Sequence, residues 1–373
     1  MKQSTPNVNA SSSNTLRPVV VSGIGVVSCL GIGIDLTWKR LLLGELGYLL
    51  GGCGNIEDFS TLSNRAAHLA MAATRIALKD ALVETTAECG VIIGSSRGSQ
   101  ADWENSGGVQ LLDLAAPMRA VVNLVAPRGP VEAIACACAT GAWAIGTGYR
   151  WIQWGLCDQV IVGAVDAPIT PLNLAGFRKA GTLASTFCRP FDQQRDGFVL
   201  AEGAAVLILE AETTALERGI RPYAWIRGFA ANSDAYRPTA PRPDGSGLER
   251  VTRQALAESG FSSVSAISAH GTGTPLNDAL EASVIARLHH PNIPLISTKG
   301  QMGHSLGASS ALETAIACQI LRTGILPPIA NLEQPISPLH FMRTATPTDL
   351  DTVLLHSLGF GGQNTALLLE TFR

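Results

Sequence analysis

Val131-Glu-Ala-Ile-Ala-Cys136-Ala-Cys138-Ala-Thr-Gly-Ala-Trp-Ala-Ile-Gly146 passes within a few residues from an apolar strand-like run to a chain of alanine and glycine. The pattern reads as a buried strand that ends, and a small-residue helix that begins, near Cys138. A strand feeding a helix is the unit from which α/β folds are built. A thiol at a helix N-terminus faces the positive end of the macrodipole, which favours the thiolate and predicts a lowered pKa. Taken alone, such a cysteine reads more readily as an inert packing residue. Cys136 falls on a different face and is expected to be structural.

The same alternation extends outward on both sides. Short apolar or β-branched runs at 19–22, 90–94, 160–165 and 204–210 predict strands, with helices over 66–83 and 139–155. The second half repeats the theme. Strands are expected at 223–229, 267–269, 294–297, 352–358 and 365–369, and helices at 247–260 and 307–324. Residues 18–212 and 213–373 are the expected halves, after a polar, Ser- and Asn-rich stretch over 1–17 that reads as a disordered leader.

Composition narrows the function. Of 373 residues, 46% are hydrophobic and 15% charged, so the chain can bury a large core. The net charge of −3 and the lack of a basic run argue against nucleic-acid binding. No stretch of about 18 apolar residues predicts a membrane span. The 8 cysteines contain no CxxC pair, which points to reduced cytosolic thiols and a cytoplasmic protein. No HxxxH or HExxH is present, and no metal site is expected.

Three further stretches carry candidate chemistry. In Ser268-Ala-His270-Gly-Thr272-Gly-Thr274-Pro-Leu-Asn-Asp278, a histidine at a strand end precedes a tight turn whose hydroxyls can hold a polar arm. In Ser297-Thr-Lys299-Gly-Gln-Met-Gly-His304-Ser-Leu-Gly-Ala-Ser-Ser-Ala-Leu-Glu313, His304 stands before a small-residue helix. The helix dipole there disfavours an imidazolium and leaves a neutral hydrogen-bond donor. Either histidine alone reads as well as a satisfied structural residue. In His356-Ser-Leu-Gly359-Phe360-Gly361-Gly362-Gln-Asn364, glycines flank one aromatic, and its amide can join that of Cys138 in an oxyanion hole. A hairpin turn with a core phenylalanine is the other reading.

Together these motifs resemble the β-ketoacyl-acyl carrier protein synthase family, most of all its elongating, type II members. The block Arg189-Pro-Phe-Asp192-Gln-Gln-Arg195-Asp196-Gly-Phe198-Val-Leu-Ala-Glu202-Gly203-Ala and Asn232-Ser-Asp-Ala-Tyr236 also match, and the likeness runs from about Val19 to Glu370. The resemblance implies a thiolase-like, duplicated α-β-α-β-α five-layered fold, each half holding one mixed five-stranded sheet, and a homodimer. It implies decarboxylative Claisen condensation of an acyl thioester, held on Cys138, with malonyl-carrier protein, in fatty acid or related lipid or polyketide synthesis. By the same resemblance His270 and His304 stabilise the enolate, Lys299 and Glu313 support them, and Asp278 is structural. The amides of Cys138 and Phe360 hold the oxyanion. Phe360 is a gate freed by Gly359 and Gly361. Thr239, Thr272 and Thr274 line a phosphopantetheine tunnel, and Phe177 an acyl pocket. The implied partner is an acyl carrier protein, with no cofactor beyond its phosphopantetheine.

The chain also departs from the family. The segments between Gly47 and Ala66 and between Gly98 and Ala120 are short. The surviving basic candidates for carrier docking are Arg119, Arg178 and Lys179, which read equally as solvated charges. His356, Leu358, Met302 and Gln363 replace usual residues, and Trp143 is expected to shorten the acyl pocket or fill core. The intact Cys-His-His set separates the chain from thiolases, from starter-type Cys-His-Asn enzymes and from chain-length factors. Two other functions remain open: a non-condensing partner subunit, and a malonyl decarboxylase or acyltransferase.

Overall fold

The computed structural model describes residues 16–59, 63–84, 86 and 88–373. The expected leader therefore lies outside the described residues up to residue 15. Arg17, its last residue, ion-pairs with Asp158 at 2.5 Å.

Ten of the eleven strands of the main sheet form one path, the eleventh, Gly31–Ile32, pairing only with the first: β1 Val19–Ser28, β2 Gly90–Gly94, β3 Val131–Glu132, β4 Gln159–Asp166, β5 Gly203–Ala211, β6 Ala224–Ser233, β7 Ala266–Ser268, β8 Leu295–Ile296, β9 Thr352–Gly359 and β10 Gln363–Thr371. Their order is β3-β2-β4-β5-β1-β6-β10-β9-β7-β8. Each half repeats one pattern. In the first, β2 pairs parallel with β3 and β4, and antiparallel pairings carry on through β5 to β1. In the second, β7 pairs parallel with β8 and β9, and antiparallel pairings carry on through β10 to β6. The two five-stranded sheets are not separate. They meet where β1 pairs antiparallel with β6, Val19 opposite Ile226 and Val21 opposite Ala224, so one continuous sheet folds over the core.

The principal helices are α1 Arg65–Asp80, α2 Ala116–Val125, α3 Thr140–Gln153, α4 Pro171–Lys179, α5 Ser246–Ser259, α6 Pro275–Leu288 and α7 Ser309–Thr323. Helices α1 and α2 cover the outside of the first sheet, and α5 covers that of the second with α6 packed against it. Between the sheets lie α3 and α7, packed on each other. This is the five-layered, thiolase-like α/β fold. The inner helices are nearly uniformly apolar or small because they meet protein all round. Buried positions of α7 run unbroken from Ser309 to Leu321.

Several boundaries differ from the sequence reading. Strand β1 runs six residues past its expected end, through a bulge between Val21 and Gly23. Glycine weakens a strand on propensity alone. Here it admits α1, since a Cβ on Gly25 would lie 1.9 Å from the Ala73 carbonyl oxygen. Helices α2, α4 and α6 were not anticipated. Each of them starts within two residues of a proline or its own Pro, at Pro117, Pro171 and Pro275.

The α3–α7 contact depends on Gly141. A Cβ there would meet the Ala311 amide nitrogen at 2.5 Å and the Ala311 Cβ at 2.8 Å. Gly141→Val is expected to cost roughly 3 kcal/mol of stability through overpacking. Gly176→Ala, on α4 with nothing within 4 Å of the added carbon, should be neutral or gain about 0.5–1 kcal/mol. Chemical denaturation of both variants checks this, and equal effects would disprove the assignment of the contact.

Candidate active site

Cys138 lies in a tight turn, Ala137–Ala139, that leads into α3. Ala137 has φ +48°, a left-handed conformation that a non-glycine residue adopts at a cost. Thr140 holds the turn: its hydroxyl accepts the Cys136 amide at 2.9 Å and donates to the Ala137 carbonyl at 2.6 Å. Cys136 serves this turn through its backbone. The Cys138 carbonyl accepts hydroxyls from Ser357 at 3.1 Å and Ser310 at 3.4 Å. These tie the turn to β9 and α7 in the other half.

His304 precedes a matching turn, Leu306–Ala308, with Leu306 at φ +46°. The His304 amide donates to the Val199 carbonyl at 2.7 Å, and its Nδ1 lies 2.8 Å from Ser309 Oγ. The Phe198–Ala201 run, whose role the sequence did not reveal, is thus the rail that places this ring. Phe198 also packs edge-on to it at 5.0 Å. His270 lies across from it, with ring centroids 5.6 Å apart.

A carboxylate that sequence reasoning missed fixes His270. Glu281, fully buried on α6, accepts the amides of His270 at 2.7 Å and Gly271 at 2.9 Å. His356, one of the unusual residues, faces Glu281 at 3.4 Å and reaches Thr252 at 3.0 Å. Asp278 accepts the amides of Phe191 at 2.7 Å and Gly273 at 3.1 Å, as a structural residue does. Lys299 donates to the His270 carbonyl at 2.6 Å, stands 3.4 Å from its Nδ1, and ion-pairs with Glu313. Both partners are buried behind the histidines and do not line the cavity.

The cavity measures 740 Å³ and collects most of the expected site on one surface. Cys138, His270 and His304 line it, as do Phe177, Thr239, Thr272, Thr274, Gly359 and Phe360. Gly361 does not. It sits at φ +84° and donates its amide to the Pro238 carbonyl at 2.7 Å, so it shapes the Phe360 turn from behind. Gly359 abuts the nucleophile turn, where a Cβ would come 2.9 Å from the Cys136 carbonyl oxygen and 3.3 Å from the Cys138 amide. Phe360 is 38% exposed, free on one side.

Other expectations are corrected. Trp143 does not reach the cavity. It packs edge-on to Phe229 at 6.0 Å, because its place on α3 turns it toward the sheets. Met302 is buried in the core and Leu358 lines the cavity. Arg119 is paired with Asp113, whereas Arg178 and Lys179 stand exposed at the end of α4. Among the described residues no helix is long and apolar enough to cross a membrane.

The electrostatics differ from expectation at the nucleophile. Burial pushes the Cys138 thiol up to about 11; Lys299, Arg97 and a hydrogen bond from the Phe360 backbone pull the other way. A helix start favours a thiolate by only about 1 kcal/mol, less than the desolvation here. Burial and then Lys299 hold His270 and His304 well below 6.5, so both rings are neutral at pH 7. Burial raises Glu313 to about 7, against the pull of Lys299.

Two family models match: the N-terminal domain of β-ketoacyl synthases over residues 58–215 and the C-terminal domain over residues 223–333. The chain is 34% identical to a 3-oxoacyl-[acyl-carrier-protein] synthase 2 of Synechocystis sp., over 96% of its own length and 99% of the relative's. The chain belongs to the β-ketoacyl synthase family. It is accordingly a condensing enzyme, an acyltransferase that forms carbon–carbon bonds. A Staphylococcus aureus enzyme of the same name is 32% identical, over 95% and 99% of the two chains. Among solved structures, a type II polyketide ketosynthase in complex with its acyl-carrier protein superposes with TM-score 0.90 at 27% identity, covering 95% of this chain and all of that one. A β-ketoacyl synthase from Burkholderia phymatum gives 0.86 at 27%, covering 96% of this synthase and 100% of its own chain.

The pushed-up thiol has a measurable consequence. Alkylation of Cys138 by iodoacetamide, mapped by peptide mass, should keep rising with pH past about 9, since only the thiolate reacts. A plateau between about pH 6 and 8 would show instead that the helix start outweighs burial.

Proposed function

We propose that this synthase elongates an acyl group by decarboxylative condensation with a malonyl unit on an acyl carrier protein, in fatty acid or related lipid or polyketide synthesis. The observation that carries the reading is that Cys138, His270 and His304 line one cavity together with Phe360. The relatives' name, and a solved ketosynthase held by its carrier protein, support the partner.

In the first half-reaction the Cys138 sulfur attacks the acyl thioester, and the carrier's thiol leaves with the proton. The amides of Cys138 and Phe360 hold the oxyanion. In the second, neutral His270 and His304 donate from Nε2 to the malonyl thioester carbonyl. Their Nδ1 atoms are occupied by Lys299 and Ser309. Loss of CO₂ leaves an enolate under those two donors. Its carbon attacks the acyl-enzyme, the Cys138 thiolate departs, and a β-ketoacyl thioester is formed. A neutral donor suits this step, because it stabilises the enolate without protonating it outright. Thr239, Thr272 and Thr274 form the arm for phosphopantetheine, and Phe177 lies on the acyl side. Phe360 opens and closes the site between the two half-reactions. Lys299 and Glu313 position His270.

We further assign the protein to the cytoplasm as a homodimer. Val109 and Leu111 are 88% and 86% exposed, close in sequence to the covered face of α2, and β3 presents an unpaired edge. Light scattering should return twice the chain mass.

Intact-mass analysis with acyl- and then malonyl-carrier protein tests the chemistry. The wild type should gain an acyl mass and lose it as β-ketoacyl product, and Cys138→Ala should gain none. His304→Ala should acylate normally yet condense about 10²–10³-fold more slowly. Acylation without a condensed product in the wild type would favour the acyltransferase alternative, and no acylation at all the partner-subunit one.

A further inference from the structure

Arg97 places a cation in the wall of the cavity, beside apolar side chains. It follows β2 and lines the cavity beside Phe177. Its backbone amide is fixed by the buried Asp166 carboxylate at 2.9 Å. Its guanidinium lies over the Phe177 ring at 5.6 Å. Its Nε is buried without a hydrogen-bond partner, and among the described residues the side chain makes no ion pair. The lining includes Ala135, Ala137, Phe198, Leu306 and Leu358, which offer no acceptor side chain, besides the hydroxyls of Ser96 and Thr182.

An unbranched alkyl chain drawn along this wall would strip water from the guanidinium and give nothing back. Leaving a buried charged donor unpaired costs about 1–3 kcal/mol or more. An oxygen on the chain would restore the lost hydrogen bond and turn the cost into selectivity. Resting on the condensing reading above, we propose that the acyl group taken up on Cys138 carries a hydrogen-bond-accepting oxygen, a carbonyl or a carboxylate, that is received by Arg97. Arg97 is then a specificity-determining residue of the acyl side, while the threonine arm handles the carrier.

Two carriers of that chemistry, a β-carbonyl and a terminal carboxylate, are separated by comparing butyryl, acetoacetyl and succinyl groups of equal length. Pantetheine amides of the three report binding by calorimetry without any reaction, and the thioesters report Cys138 acylation by intact mass. At least one oxygenated amide should bind about tenfold or more tighter than butyryl, and Arg97→Leu should abolish or invert that preference. Acetoacetyl leading identifies the carbonyl, succinyl the carboxylate. Equal binding of all three, or a preference untouched by Arg97→Leu, overturns the inference. An Arg97-dependent preference among the amides with no acylation by any thioester would keep Arg97 as the receiver of the oxygen and defeat the condensing reading instead. If Arg97→Leu weakens use of malonyl-carrier protein alone, with acyl preference intact, Arg97 serves the extender unit and the inference fails.

Discussion

The close approach of two buried helices sets everything else in this synthase. Helices α3 and α7 lie between the sheets with Gly141 against Ala311, a contact too tight for any side chain. The turns that begin them are therefore pressed together, and each turn delivers one reactive group to the same cavity. Small residues at the interface are thus a condition of the chemistry. A larger residue would separate Cys138 from His304 before it altered either one. Both turns carry a left-handed non-glycine residue, Ala137 or Leu306, a strain of order 1–3 kcal/mol each that the surrounding packing absorbs.

Charge burial follows from that geometry. Helices crowded between two sheets leave backbone amides at their starts and at the strand ends, with no water to satisfy them. Buried carboxylates do so: Asp166 binds the amides of Ser96, Arg97 and Gly307, Glu281 those of His270 and Gly271, Asp278 those of Phe191 and Gly273. Such groups are weak sources of net stability, since desolvation cancels much of the attraction. What they supply is placement. The Lys299–Glu313 pair acts in the same way on His270, and its cation also helps to keep both imidazoles neutral.

Local patterns made the fold class and the side chains that meet in the cavity legible. The strand-to-helix change at Cys138 and the glycine-rich turn after His270 are short-range signals, and the cavity gathers both. Long-range facts were not legible in this way. Glu281 is eleven residues from His270 and sits on an undistinguished helical face. Phe198 belongs to a block whose service to His304 is a matter of backbone pairing. Trp143 read from the chain either as a pocket residue or as core filling, and helical rotation decides for the core by carrying it to Phe229. The β1 boundary failed for a related reason. Gly23 and Gly25 lower strand propensity locally, while their real constraint is α1 lying across them. The pKa of Cys138 likewise turned on desolvation, which a helix start cannot reveal.

The duplication also explains why only one turn bears the nucleophile. Cys138 and Gly307 hold equivalent places, each the middle residue of its turn. The strand that ends against each turn is likewise equivalent, β9 for the first and β4 for the second. β9 closes on Gly359, whose lack of a side chain leaves the Cys138 turn room. β4 closes on Asp166, whose carboxylate fills the corresponding space, so that a Cβ on Gly307 would lie 2.7 Å from Oδ2. Side chain and empty space are exchanged between the two halves. One turn pairs a thiol with a glycine and stays open to substrate. The other pairs a glycine with a buried anion and is closed. A symmetric pair of open turns would leave the Leu306 turn without the carboxylate that fixes it, and a symmetric pair of closed ones would leave no nucleophile. The two halves thus differ in opposite directions at two matched positions.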